Sequence, residues 1–139
     1  MQNFFTPKSI AVIGVSKNKN KIGSVIFNNL KTYNGKLYAI NTNEKTVQKY
    51  KAHKSVLQIK NKIDLAIIAI PAKFVLQVVD ECGKKGIKHL IIVSSGFKEI
   101  GNDKLEYELY KLLEKHRIKC IGPNCLGVYD AHSKFDSLF

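Results

Sequence analysis

The chain has 139 residues, 45% of them hydrophobic and 24% charged, which suits one globular domain with one core. Its formal net charge is +12, yet all but one of the 23 basic residues are lysine and they are spread along the whole length. That reads as solvated surface, and a chain with Arg117 as its single arginine lacks the usual means of nucleic-acid readout. The apolar runs Leu65–Ile70 and Leu90–Val93 are too short to cross a bilayer. Three cysteines without CxxC spacing exclude a disulfide framework and a zinc knuckle, and no histidine or carboxylate pair has metal spacing. The start Met1-Gln2-Asn3-Phe4-Phe5 has no secretory pattern, so the expected compartment is the cytoplasm, with no membrane or nucleic-acid partner.

Short apolar runs alternate with longer amphipathic ones. That rhythm predicts an α/β fold, Rossmann-like and doubly wound, with a mainly parallel sheet and helices on both faces. Ser9–Val15 reads as a buried strand, and Ile22, Val25, Ile26 and Leu30 mark a helix over Ile22–Tyr33, stopped by Asn34-Gly35. Leu37–Asn41 is the second strand. The mixed stretch 42–62 holds a short strand near Ala52–Val56. Ile63–Ile70 is apolar on both faces and belongs in the middle of a covered sheet, ended by Pro71. Phe74, Val75, Val78, Val79 and Cys82 form a helical stripe closed by Gly83 or Gly86. His89–Ser95 is the next strand. Asp103–His116 is a helix with Leu105, Leu109, Leu112 and Leu113 inward, and Lys119–Gly122 is the last strand. The segment 131–139 shows no periodicity but carries Phe135, Leu138 and Phe139. We expect a domain over 1–130, and a tail over 131–139 leading to a second domain beyond this sequence.

In such a sheet, ligands bind outside the carboxyl ends of the strands. Those ends here carry small, hydroxyl-bearing or backbone-rich residues: Gly14-Val15-Ser16, Asn41-Thr42, Ile70-Pro71-Ala72, Ser94-Ser95-Gly96 and Gly122-Pro123-Asn124. In the first loop Gly14 permits a tight turn, and Gly23 admits a phosphate to the start of a helix, where free N–H groups favour an anion. The loop is neither GxGxxG, since Ser16 takes the second glycine position, nor GxxxxGK[ST], since Ser24 follows Gly23. The second strand ends in Asn41, with Lys45 beyond, rather than in an acid that would grip the ribose of NAD. This leaves NADP and coenzyme A, which both carry a phosphorylated ribose. No GxSxG is present. His53, His89, His116 and His132 are expected on the surface, Cys125 in a structural role, and Asp64 as a local hydrogen-bond acceptor. The inventory suits a binding domain better than a complete enzyme, with no catalytic residue and no metal ligand.

Several of these segments together resemble the CoA-binding domain of the NDP-forming acyl-CoA synthetases, a group that includes the succinyl-CoA synthetase α subunit, and within it the ADP-forming acetate–CoA ligases. They are Phe4-Phe5-x-Pro7-x-Ser9–Ser16, Lys21-Ile22-Gly23-Ser24, Tyr38–Asn41, Ser55-Val56, Asp64–Ala72, Ser94–Glu99 and Gly122–Val128. The resemblance implies that coenzyme A lies across the strand ends. Its phosphates would meet Gly14, Val15 and Ser16 through Lys21, Ile22, Gly23 and Ser24. Asn41 and Lys45 would take the adenosine side, and Ile70, Pro71, Ala72 and Phe74 an apolar wall. Ser94, Ser95 and Gly96 would approach the pantetheine arm and Asn124 the thiol. It also implies a parent acid–thiol ligase making acyl-CoA from a carboxylate, CoA and ATP. The phosphorylated histidine would lie in a following α-type domain and ATP with Mg in a separate ATP-grasp domain or subunit, so this chain would bind CoA without turning over. The alternatives are a stand-alone CoA-binding or regulatory protein, the synthetase-like module of a protein acetyltransferase, and an NAD(P)-dependent reductase. Open reading frame length separates the ligase domain from the stand-alone protein.

Overall fold

A computed structural model describes residues 2–139. Among them a seven-stranded sheet runs in the order β3-β4-β2-β1-β5-β6-β7. Its strands are β1 (Ser9–Ile13), β2 (Lys36–Ile40), β3 (Thr46–Val47), β4 (Tyr50–His53), β5 (Leu65–Ile68), β6 (His89–Ile92) and β7 (Lys119–Ile121). All neighbours are parallel except β3 on β4. The doubly wound fold expected from the alternating pattern is the one observed. From β1 the chain winds outward through β2 and β4, then returns to the other side of β1 with β5. The direction therefore switches between β1 and β5, which is where such sheets open a crevice.

Alternation along the strands divides the core into two. Ala11 and Ile13 of β1 pack with α2 (Val75–Lys85) and α3 (Asp103–His116), while Ile10 and Val12 pack on the opposite face with α1 (Ile22–Asn29). All five residues of β1 and all four of β5 are buried, as expected of parallel strands covered by helices on both sides. The α3 boundaries match the sequence reading; of its four leucines Leu109 is the fully buried one, the others being half-buried.

Four local readings change. The first helix leaves α geometry after Asn29 and tightens into a 3-10 turn over Leu30–Thr32, because Tyr33 turns out extended and donates its hydroxyl to the Pro7 carbonyl at 2.9 Å. The strand expected near Ala52–Val56 is β4, two residues earlier. It pairs with β3 through a turn in which Gln48 and Lys49 both take positive φ, 50° and 71°. Turns of that type normally use Gly or Asn, so the sequence carried no hairpin signal. Phe74 belongs to no buried stripe and is 48% exposed; of the two glycines expected to close α2, Gly86 caps it in the left-handed region and Gly83 lies inside it. The segment 131–139 has an element after all. Tyr129–Asp130 (β8) and Phe135–Asp136 (β9) form an antiparallel pair, with Phe135 fully buried and edge-on to Tyr33 at 5.5 Å. Ser137 Oγ donates to the Val128 carbonyl at 3.0 Å, and Ser133 Oγ to that of Phe5 at 2.8 Å.

Three of the four histidines are packed rather than on the surface. His89 stands edge-on to Phe4 at 5.0 Å, and His53 faces Tyr38 at 6.2 Å. His116 lies 2.7 Å from the Asp80 carboxylate, over Gly83, where an added Cβ would run into the imidazole. Through His116 Asp80 clamps α2 to α3, and Lys84 of its own helix also donates to it at 2.7 Å. Asp64 accepts from the Lys8 amide at 3.0 Å, the local role expected of it.

Truncating Phe135→Ala should destabilise the fold by about 3–5 kcal/mol in a urea titration. The hydrogen bond from Lys84, and then that from His116, hold the Asp80 carboxyl well below its usual value of 3.8. A depressed carboxylate pKa stabilises the fold above that usual value, and the contribution fades as the pH falls below it. Melting temperatures of wild type and Asp80→Asn should therefore differ at pH 7, and the gap should narrow progressively below about pH 4.

Candidate functional site

The carboxyl ends of β1, β2, β4 and β5 enclose a cleft of about 530 Å³. Its floor is apolar, made of Ile13, Ile40, Val56, Ala69, Ile70 and Val78, with Pro71 and the exposed ring of Phe74 at one wall. The polar lining comes from four loops or helix faces: Gly14, Ser16 and Lys21 after β1; Asn41 to Glu44 after β2; Lys54 and Ser55 after β4; Gln77 and Glu81 on α2.

Two glycines fix the first loop. Gly14 has φ +102°, and a Cβ there would collide with the Ala69 carbonyl at the end of β5. A Cβ on Gly23 would collide with the Gly14 carbonyl, so the first turn of α1 can rest on the end of β1 only because Gly23 has no side chain. Ser24 locks this arrangement. Its buried hydroxyl accepts from the Ser16 amide and donates to the Ser16 carbonyl, both at 2.9 Å. Lys21 takes the N-cap position without a side-chain cap, leaving its ammonium free to face the cleft. The Ser24 amide already donates to the Lys21 carbonyl at 2.9 Å, which leaves the Ile22 and Gly23 amides at the helix start, beside a lysine, to favour an anion.

The second loop is braced to the first. Asn41 Nδ2 donates to the Val15 carbonyl at 2.7 Å, and its Oδ1 accepts from the amides of Asn43 and Glu44 at 2.8 and 2.9 Å. Lys17 bridges to Glu44 at 2.7 Å over the mouth.

Of the residues expected at the site, Gly14, Ser16, Lys21, Asn41, Ile70, Pro71 and Phe74 line one cleft. Asn41 is there as a brace, with its amide already spent. Val15, Gly23 and Ser24 are buried behind the loop as its packing, and Ile22 is 43% exposed at the start of α1, outside the lining. Lys45 is exposed and also outside the lining. The remaining five form a second group along the ends of β5, β6 and β7. Ser94 accepts from the Ile70 amide at 3.1 Å and, through its carbonyl, from the Asn124 amide at 2.9 Å. Gly96, at φ +107°, stands against Ala72. The Gly96 and Phe97 amides are already taken by the Glu99 carboxylate, which the first of them holds below the usual carboxylate range. Ser95 and Asn124 are exposed at this rim.

Sequence reasoning missed Ser55, Gln77 and Glu81. Ser55 Oγ donates to Glu81 at 2.6 Å and Gln77 Nε2 donates to it at 3.1 Å. Gln77 and Glu81 lie four apart on one helix face, a spacing visible in the sequence, but nothing local says that this face looks into a cleft. No reactive thiol is present here. Burial pushes Cys82 and Cys120 up to about 12 and raises Cys125, whose Sγ donates to the Ile92 carbonyl at 3.3 Å. Among the described residues no helix is long and apolar enough to cross a membrane.

Residues 8–131 match a family model described as a CoA binding domain. The chain is 44% identical over 133 residues to the ADP-forming acetate–CoA ligase of Methanocaldococcus jannaschii, covering 96% of this chain and 19% of that protein. It is 45% identical over 139 residues to the α subunit of ADP-forming acetate–CoA ligase II of Pyrococcus furiosus, covering 98% of this chain and 30% of that subunit. A solved dinucleotide-forming acetyl-coenzyme A synthetase 1 of Ca. Korarchaeum cryptofilum, in complex with phosphate and ADP, superposes with a TM-score of 0.94 at 38% identity, over 99% of this chain and 30% of that one. The chain thus spans less than a third of each of these relatives.

Substituting Gly23→Ala should force α1 off the end of β1 and cost about 1–3 kcal/mol of stability, read from a denaturant titration. Substituting the exposed Gly101, where an added Cβ meets nothing within 4 Å, should leave the cleft's ligand binding unchanged.

Proposed function

The chain belongs to the family of CoA binding domains, and from that premise we propose that it binds coenzyme A across the carboxyl rim of its sheet as one domain of an ADP-forming acyl-CoA synthetase. The observation that carries this reading is the cleft itself. It combines a glycine-shaped anion loop with an apolar slot walled by Pro71 and Phe74, and it lies beside a second rim of small polar residues. Clefts of this size accommodate small-molecule ligands.

In this reading Lys21 and Ser16, on the loop that leads into α1, hold the diphosphate, and the slot over Ile40, Val56 and Val78 takes the base. The pantetheine arm runs past Pro71 toward Ser95 and Asn124, which present its thiol. Asn41 acts by bracing the loops rather than by gripping the nucleoside, and Lys45 contributes charge from outside the cleft. The chain's own residues bind and orient; its cysteines stay protonated, and the cleft lining contains no histidine. Acyl transfer then needs groups from elsewhere, supplied by a following domain with a phosphorylatable histidine and an ATP-grasp domain or subunit holding ATP and Mg. The parent ligase would work in the cytoplasm on a carboxylate, CoA and ATP, and the segment 131–139 would lead toward that following domain.

Isothermal titration of the folded chain should show binding of CoA and none of NAD(H). Lys21→Ala should weaken CoA roughly five-fold, the order expected for one solvent-accessible charge contact, and added salt should shrink that difference. A folded chain that fails to bind CoA would overturn the proposal.

A further inference from the structure

The loop after β1 supplies Lys21 at one end of the cleft, and the carboxylate of Glu81 stands at the other, where Lys54 also lines the wall. Glu81 is held there by Ser55, which follows β4. In the sheet β4 is separated from β1 by β2, so the two ends lie on the order of 10 Å apart. Glu81 also sits six residues into α2, about 9 Å along its axis from Val75.

The carboxylate is positioned with spare capacity. Oε2 accepts from Ser55 Oγ and Oε1 from Gln77 Nε2, at 2.6 and 3.1 Å, and each oxygen can accept one bond more. Beside it the lining is apolar, with Val56, Val78 and Phe74, which suits the faces of a flat ring. An acceptor-only group at the edge of an apolar slot asks for a donor on the rim of that ring, and it repels a phosphate or a carbonyl edge.

We infer that Glu81, braced by Ser55 and Gln77, reads the base of the bound nucleotide by accepting a hydrogen bond from its exocyclic amine, and so selects a 6-amino over a 6-oxo purine. The inference rests on the CoA reading above and adds to it the residue that sets base specificity and the direction in which the ligand lies.

The test compares three ligands by isothermal titration: CoA, its deaminated counterpart with hypoxanthine in place of adenine, and 4′-phosphopantetheine, which has no nucleoside. Wild type should favour CoA over the hypoxanthine counterpart by roughly tenfold or more, the scale of one hydrogen bond to a charged group. Glu81→Gln, which can also donate, should bring that ratio toward one while leaving 4′-phosphopantetheine affinity unchanged. Ser55→Ala, which removes a brace and keeps the carboxylate, should retain a preference for CoA. Equal binding of the two purines by wild type overturns the inference and needs no variant to fold. A ratio preserved in folded Glu81→Gln overturns it as well, and reduces Glu81 to a tether between α2 and the turn after β4. If CoA itself does not bind, the CoA reading fails, and this inference falls with it.

Discussion

Everything at the rim depends on one steric contact, the approach of the Gly23 backbone to the carbonyl of Gly14. A hydrogen in place of a side chain at Gly23 lets the first turn of α1 sit directly on the end of β1, and the same lack at Gly14 lets that strand end lie against β5. That contact fixes where Lys21 and the open amides of the helix point. It also sets Ser24 where its hydroxyl can close the loop on Ser16. The end of β5 is involved too, because Gly14 presses against the Ala69 carbonyl and its amide donates to Ile40 of β2 at 3.1 Å. Three strand ends and one helix start thus share a single packing constraint, and the cleft is the space they leave.

The bracing around that contact explains why residues with attractive side chains are not all ligand contacts. Asn41 has both halves of its amide occupied by the backbone of the two loops, Ser94 joins β5 to the Asn124 turn, and Glu99 caps the Gly96 and Phe97 amides. A buried or bridging polar group that is already paired gains little by turning to a ligand, since its present partner would be left unsatisfied. Their contribution is to hold the rim rigid, so that binding energy is not spent on ordering it.

The fold was legible because its strongest signals are local. Continuous apolar runs at β1 and β5, the leucine spacing of α3 and the glycine pattern after β1 each follow from burial or backbone sterics at that position. What stayed hidden depends on distant partners. Phe135 is buried because Tyr33 and the ends of α1 lie beneath it, and two-residue strands leave no periodicity to detect. The β3–β4 hairpin uses Gln48 and Lys49 where glycine or asparagine would have announced the turn. In the site, sequence located the loop after β1 and the Ile70-Pro71 strand end but not the α2 face. Gln77 and Glu81 look like ordinary solvated helix residues until Ser55 is brought against them from a segment more than twenty residues earlier in the chain.

The electrostatics of the site then make sense of the whole chain's charge. A surface carrying +12 attracts polyanions without selecting among them. Selection has to come from geometry: in the proposed reading a glycine-shaped loop would admit a diphosphate and an apolar slot a ring. Lys17, paired with Glu44 at 2.7 Å, neutralises one of the carboxylates that line the cleft. Cys82 is buried and Cys120 and Cys125 are partly so, and desolvation raises all three thiols, so the domain adds no competing nucleophile to the one its ligand would bring. In the proposed reading binding and reactivity are thereby separated: this rim would provide position and orientation, and the chemistry would wait on groups delivered from outside it.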